Sequence, residues 1–427
     1  MGMTSMVSAV RSQVLGMVAR RFTGGNGPYA GLSMLPDKIL WPLHRDGLDP
    51  VAKMGQLREE KPVSRLPLPF GMRAWLVTGY EPVRAVLGSV DTYSNDFGRF
   101  AGRIGITVER DPGGLGFADP PDHTRLRKML TPEFTMRRLA RLQPRIESIV
   151  AGRLDALAAT DGTADLWHDF ALPIPALTIC ELLGVPYADR EYFQELSTTR
   201  FDLGAGGNAA LGAIGESLEY IGGLIEQQRR EPGEGLLGAL IRAHGDDIED
   251  RELAGVADGV LTGGLETSAS MIALGALVLM ANPVMAEKMR AGEDVDAMVE
   301  ELLRYLTVVQ VAFPRVAVRD VRIGDADIRA GDVVMCSLSG ADRDVQFGPD
   351  PHSIDPGRAA NRSHVAFGYG IHRCIGAELA RMELRIAYPA LVRRFPAMKP
   401  AVPPAELKFR RASIVFGLDE LPVDLGR

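Results

Sequence analysis

Apolar residues in this chain recur mainly three and four apart, and this spacing predicts a mainly helical protein with a small β-rich region. Residues 50–60 read as a helix, with Asp49 as its cap and Pro50 in the first turn. Val63 and Leu66, then residues 74–78, flank a Pro-Leu-Pro loop and predict a short hairpin. A small helix follows at 81–87. The stretch Asp119-Pro-Pro-Asp-His123-Thr-Arg-Leu-Arg127 opens another, with prolines where a helix start tolerates them. Two helical stretches fill 137–186, with Cys180 as a core residue and Gly184 at the end. Segments 190–203 and 209–230 give two more, and the glycines between them suit a hinge or lid. The longest helix spans 250–281, capped by Asp250 and stopped by Asn282-Pro283. After a helix around 299–305 the period shortens to two, and residues 316–318, 321–323 and 333–335 read as strands. Leu379, Met382 and Ile386 return to helical spacing, in a helix that Pro389 is expected to kink.

Some stretches break the pattern. Residues 91–118 have no clean period, and glycines alternate there with Phe97, Phe100, Ile104 and the cations Arg99 and Arg103. So long a loop is either a plain surface loop or a pocket wall. Gly263 and Gly264 sit inside the longest helix, where two glycines cost about 2 kcal/mol relative to alanine. Close packing against another helix explains them, and so does close approach of a ligand.

Composition narrows the class. Of 427 residues, 46% are hydrophobic and 24% charged, an ordinary balance for a soluble globular protein. A formal net charge of -7 argues against bulk attraction to nucleic acid or anionic lipid. Cys180, Cys336 and Cys374 are far apart and odd in number, which implies no disulfide framework and suits a reducing cytoplasm. No convincing charge-free run of about 18 residues occurs, so no integral membrane anchor is predicted. Residues 1–45 are rich in glycine and proline and read as an irregular arm, leaving 46–427 as one large domain.

The chemistry concentrates in His364-Val-Ala-Phe-Gly-Tyr-Gly-Ile-His-Arg-Cys374-Ile-Gly376. Cys374 stands just before a helix, where the dipole and free N–H groups favour a thiolate. Glycines allow a tight loop, while Phe367 and Ile375 keep water off the sulfur. A lone cysteine can be a small hydrophobe. His372 with Cys374 suggests a metal pair, but no second cysteine pair stands nearby for zinc. The whole pattern Phe-Gly-x-Gly-x-His-x-Cys-x-Gly resembles the heme-binding loop of the cytochrome P-450 family.

That resemblance extends over about residues 50–420. Gly263-Gly-Leu-Glu266-Thr267 is similar to the family's oxygen-activating helix. Glu301 and Arg304 resemble its Glu-x-x-Arg motif, a buried structural pair. Asp-Pro-Pro-x-His-x-x-x-Arg is also kept. The resemblance implies heme b (iron protoporphyrin IX) with Cys374 as iron ligand, and Phe367, Gly368 and Gly376 shaping the loop. It implies His123, Arg127, Arg315 and His364 as propionate contacts. Gly263 would leave room for dioxygen, Thr267 would hydrogen-bond it, and Glu266 would relay protons. Asp342 stands where the family usually has Asn, which puts the local turn in doubt. The implied activity is insertion of one oxygen atom from O2 into a C–H bond of a lipophilic small molecule. A fatty acid or related lipid is favoured over a terpenoid, steroid or polyketide, because arginines interrupt the apolar 97–106 stretch. Phe97, Phe100, Arg103 and Ile104 are the pocket candidates. Electrons would come from a separate ferredoxin and ferredoxin reductase, or a flavodoxin, docking near Arg373, Arg381 and Arg385. A peroxide-driven or coupling heme enzyme and a non-catalytic heme-binding sensor are the alternatives.

Overall fold

The structure is a computed structural model that describes residues 40–67, 73–96, 98–99, 114–185, 189–201, 207–358 and 363–426. The irregular arm therefore lies largely outside the described residues, as do Phe97, Phe100, Arg103 and Ile104. Asp49 does not cap a helix. Asp49 and Pro50 pair antiparallel with Arg45 and Asp46, and helix α1 (Ala52–Glu60) starts after Val51. A tertiary ion pair overrides the local capping signal, since the Asp49 carboxylate lies 2.8 Å from the buried Arg343 guanidinium.

Strands β1 (Val63–Leu66) and β2 (Ala74–Val77) form the expected hairpin, with Val63 opposite Val77 and Leu66 opposite Ala74. Helix α2 (Tyr80–Gly88) and the short strand β3 (Tyr93–Ser94) follow. Then come α3 (Asp122–Leu130), α4 (Gln143–Ala159) and α5 (Pro173–Leu183). Gly184 ends α5 in the left-handed conformation at φ 79, and Cys180 is buried as a core residue. The lid segment forms α6 (Arg190–Phe201) and α7 (Gly207–Arg230). Helix α8 (Asp250–Ala281) has the predicted bounds, but its cap is Glu249, in a reciprocal capping box with Glu252. Helix α9 (Val295–Leu306), strands β4 (Arg315–Ala317) and β5 (Val333–Cys336), and helix α10 (Ala377–Arg394) complete the frame. Helix α10 continues through Pro389.

The strands join one sheet in the order β1-β2-β5-β4-β3. Strand β5 runs parallel to β2, with Val333 opposite Ala74 and Cys336 opposite Val77. All four residues of β2 are buried, which suits its continuous Ala-Trp-Leu-Val run between two neighbours. The main core is helical. Helix α8 runs through it against α5, α7 and α10, and every residue from 268 to 279 is buried. Among the described residues α8 alone is long and apolar enough to cross a membrane; 78% of its apolar window is instead inside the fold. A helix apolar on all sides belongs in a large core.

Candidate active site

One strip of α8 is not packed. Gly259 and Gly263 are exposed and Thr267 is half-exposed, four residues apart on one face in an otherwise buried helix. A Cβ added to Gly263 would meet nothing within 4 Å, whereas one on Gly264 would lie 2.5 Å from Ile179 Cδ1 of α5. The two glycines thus answer to different causes. Gly264 lets α5 pack closely, and Gly263 opens on free space. Thr267 Oγ1 donates to the Gly263 carbonyl at 2.6 Å. Glu266, one residue earlier, is fully buried and turned away from the strip, ion-paired with Arg410 near the C-terminus.

The cysteine loop is held at a second wall. Cys374 N–H donates to the Phe367 carbonyl at 2.9 Å, and Gly368 N–H to the Val365 carbonyl at 2.7 Å. Gly368 and Gly370 have φ 71 and 74, and Gly370 also lies against α2, where an added Cβ would sit 2.5 Å from the Leu87 carbonyl oxygen. Phe367 packs against His364 and under the Arg381 guanidinium. Gly376 occupies the N-cap of α10, so Cys374 stands where the helical spacing predicted. The Cys374 side chain is exposed, but only within a densely packed surround. That burial raises its thiol pKa, against the lowering pull of the Gly376 N–H and the nearby arginines. Desolvation therefore outweighs the expected acidification by the helix dipole.

Beside this loop the structure gathers two arginines and two histidines. His123 on α3 and His372 in the cysteine loop pack with ring centroids 4.3 Å apart and planes tilted by 52°. Arg127 on α3 donates to the Arg373 carbonyl at 2.8 Å, and Arg315 at the start of β4 donates to Phe313 at 2.7 Å. Burial lowers the His372 pKa to about 3, and Arg315, His123 and Arg127 reinforce the shift. Burial and then Arg127 lower His123 as well. Both His123 ring nitrogens are buried without a hydrogen-bond partner among the described residues. Orphaned polar atoms of this kind require explanation, and a bound anion accepting the imidazole N–H supplies one.

His364 does not join this group, contrary to the sequence expectation. Its imidazole Nε2 lies 3.3 Å from Glu300 of α9, and its Nδ1 accepts the Ala366 N–H. Glu300 also takes both nitrogens of an Arg381 fork at 2.5 and 2.9 Å. Burial opposes its ionisation, but bonds from Arg381 and His364 prevail and hold it at about 2. His372 is the histidine that the sequence reading missed. Its position two residues before the cysteine was the available signal, weighed only as a zinc pair.

Glu301 and Arg304 are both fully buried, with paired bonds at 2.8 and 2.9 Å. Arg304 also donates to the carbonyls of Asp342, Pro351 and Ser353, while Glu301 accepts the Asp355 N–H. The pair thus ties α9 to the segment leading into the cysteine loop. Asp342 keeps a buried role despite replacing Asn. Its carboxylate accepts the Val365 N–H at 2.7 Å and the Thr307 hydroxyl at 2.9 Å. Of the arginines expected at a docking face, Arg381 is buried with Glu300 and Arg385 is paired with Asp296, leaving Arg373 exposed. The irregular 91–118 loop is pinned at its ends, where Asp119 accepts the Ser94 hydroxyl and the Asn95 N–H.

Comparison with known proteins places this geometry. A sequence model described as Cytochrome P-450 matches residues 216–416. The chain is 44% identical to cytochrome P-450 165C4 of Amycolatopsis orientalis, over 82% of this chain and 86% of that protein. It resembles the structure of the mycinamicin VIII methyl hydroxylase MycCI from Micromonospora griseorubida, bound to mycinamicin VIII. That match has a TM-score of 0.83 and 35% identity, covering 90% of this chain and 99% of the other. It also resembles OxyC, implicated in an oxidative C–C coupling reaction during vancomycin biosynthesis. Here the TM-score is 0.79 and identity 40%, covering 89% of this chain and 95% of that one.

Proposed function

The chain belongs to the cytochrome P-450 family and is a heme monooxygenase, and from that premise we propose how its residues divide the work. When bound, the heme supplies oxygen activation, with a thiolate ligand favouring O–O cleavage. The residues present fit such a group. An accessible sulfur lies beside the cluster of Arg127, Arg315, His372 and the orphaned His123, and the unpacked strip at Gly263 continues the face of α8 that carries Gly255. Gly114 rests against Gly255 of α8, and the neighbouring Leu115 backbone hydrogen-bonds His372.

Cys374 is the iron ligand in this reading, with Phe367, Gly368 and Gly376 holding its loop. His123, Arg127, Arg315 and His372 bind the two propionates. Gly263 leaves space, Thr267 offers its hydroxyl on the open strip, and Glu266 is the proton relay. Glu301 and Arg304 hold the fold around the cofactor. The observation that carries the reading is the pair of buried His123 nitrogens, unpartnered among the described residues, beside Arg127, Arg315 and His372. Reduced protein under carbon monoxide should give a thiolate-type Soret band, and Cys374→Ala should lose it. An unchanged band in that variant would refute the ligand assignment.

The substrate is a lipophilic natural product. Two similar proteins are named for mycinamicin VIII hydroxylation and for a step in vancomycin biosynthesis, which favours such a molecule over the fatty acid expected from the arginines in the 97–106 stretch. Screening both classes for a substrate-induced Soret shift decides between them. The OxyC likeness also supports oxidative coupling as a second reading, distinguished by the absence of an added oxygen atom in the product. Electrons come from a separate ferredoxin, received at exposed Arg373 and Lys128, which adjoin the cysteine loop and α3. Cys180 and Cys336 are buried and not joined in a disulfide, which suits a reducing cytoplasm.

A further inference from the structure

Helix α7 carries Gly212, Gly215, Gly222 and Gly223 in its interior, and a Cβ added to any of them would meet nothing within 4 Å. Glycine weakens a helix interior relative to alanine, and here no close contact requires it, unlike Gly264 of α8. The helix is therefore easier to unwind than its length suggests. Its attachment to α8 is also uneven. Ala213, Ser217, Ile221 and Ile225 are buried on one face, each a turn from the next. The two isoleucines enter the main core, and beyond them Arg229 pairs with Asp250 of α8 at 2.9 Å. The N-terminal half of the face brings only a methyl and a hydroxyl. What holds that half is a polar cluster on Asp258 of α8. The Asp258 carboxylate accepts both nitrogens of the Arg200 fork at 2.8 and 2.9 Å, and the Ser217 hydroxyl at 2.6 Å. Arg200 also donates to the Thr262 hydroxyl. Arg200 ends α6 and Ser217 belongs to α7, so one carboxylate ties both lid helices to α8. The side chains of Arg200 and Asp258 are 12% and 8% exposed, against 25% and 64% for Arg229 and Asp250. The pair on Asp258 is thus the shielded one, and the stronger hold. Asp258 and Thr262 directly precede Gly259 and Gly263, so the cluster borders the open strip.

We propose that Arg200 and Asp258 form a latch that keeps α6 and the N-terminal half of α7 down on α8, and that the unpacked glycines of α7 let this half lift once the pair parts. The C-terminal half, anchored by Ile221, Ile225 and Arg229, is the fixed end. Lifting uncovers the strip at Gly259 and Gly263, so the latch sets how fast a ligand enters and leaves, not how tightly the closed site holds it. This rests on the reading of that strip as the substrate side of the heme. The latch belongs to residues that carry no part of the oxygen chemistry.

Stopped-flow binding of 4-phenylimidazole to the ferric holoprotein tests the latch, because this probe must reach the iron and reports by the Soret shift of a nitrogen-ligated heme. In Arg200→Met and in Asp258→Asn, entry and exit should both quicken about tenfold or more, since a buried charge without its partner no longer favours the closed lid. The dissociation constant should hold within about threefold, because the lid is shut with and without the probe. The double variant should do no more than either single change, as both act on one pair. Ser217→Ala removes one hydrogen bond to Asp258 and should quicken both rates about fivefold, which keeps the test open if Arg200→Met does not accumulate. Gly212→Ala combined with Gly215→Ala is the opposite perturbation. It stiffens α7 without touching the pair and should slow exit about fivefold or more. Hydrogen exchange read by mass spectrometry gives a second readout free of any ligand. In Arg200→Met the amides of 212–220 should exchange faster, while those of 221–230 and of α8 keep the parent's rates. If 4-phenylimidazole produces no nitrogen-ligated spectrum in the parent, the reading of the strip as the ligand side fails. If it binds the parent, but the latch variants leave both rates and the 212–220 exchange unchanged, or the alanine pair quickens exit, the latch alone is overturned.

Discussion

Replacing Asp342 by Asn should stabilise this protein at neutral pH, and the gain should shrink on acidification. Asp342 is fully buried, and its two carboxylate oxygens accept the Val365 N–H and the Thr307 hydroxyl. Burial pushes its pKa up to about 6, against the pull of His364, of these two hydrogen bonds and of Arg304. The folded state therefore holds the Asp342 proton more tightly than the unfolded chain does. Between the ordinary carboxylate value and about 6, folding is accompanied by proton uptake, so stability falls as pH rises. Above that window the carboxylate is ionised in both states and its desolvation is fully unfavourable. The rise to about 6, in which the attraction to His364 and Arg304 is already counted, corresponds to about 3 kcal/mol, and a gain of about 1–3 kcal/mol is expected once the amide's own burial is set against it. Asn fits the same bonds. Its amide oxygen accepts the Val365 N–H, and its NH2 donates to the Thr307 oxygen, whose proton then turns to the Arg304 carbonyl 2.6 Å away. The assay is the thermal midpoint of holoprotein followed by circular dichroism, for parent and Asp342→Asn. At about pH 7.5 the variant should melt higher, and at about pH 5 the advantage should be roughly halved. A lower midpoint at neutral pH, or an advantage that grows with acid, would refute the argument. Heme loss accompanies unfolding, so the sign and pH trend of the midpoint are the reliable readout.

Other substitutions probe the cofactor loop and its support. Gly370→Ala forces φ 74 on an L-residue and drives a Cβ toward the Leu87 carbonyl; heme content per chain should fall, with a strain of about 1–3 kcal/mol in the loop. His372→Ala should speed heme transfer to apomyoglobin, whereas His364→Ala should lower the thermal midpoint and leave the transfer rate near the parent's. The reverse order would return His364 to the cofactor. Arg304→Ala leaves Glu301 buried without its principal cation and should cost about 3–5 kcal/mol, read as loss of soluble heme protein. A mildly destabilised, fully loaded Arg304→Ala variant would contradict that role.

Elements with strong local signals were legible in the sequence. The bounds of α8, the β1–β2 hairpin and the place of Cys374 before α10 follow from apolar period, breakers and glycines acting over a few residues. Asp49 was misread because a cap is a short-range preference, and Arg343, far away in sequence, took its carboxylate into an ion pair. The site followed the same division. The loop motif picked out Cys374, but His364 and His372 both lie close before it and carry the same local chemistry. Only the packing of α9 and α10 gave His364 to Glu300, and only α3 brought His123 onto His372.

By itself the sequence determined what kind of chemistry this chain performs. A cysteine on a glycine loop, a threonine in a glycine-broken helix and a Glu-x-x-Arg pair are contiguous patterns whose meaning lies in bonds a few residues long. Tertiary structure decided which charged groups face one another. Arg410 reaches Glu266 across 144 positions of chain, Arg381 reaches Glu300 across 81, and Gly264 makes room for Ile179 on another helix. Pairing energies depend on burial and on distances of a few ångströms, and both arise only when separate segments meet.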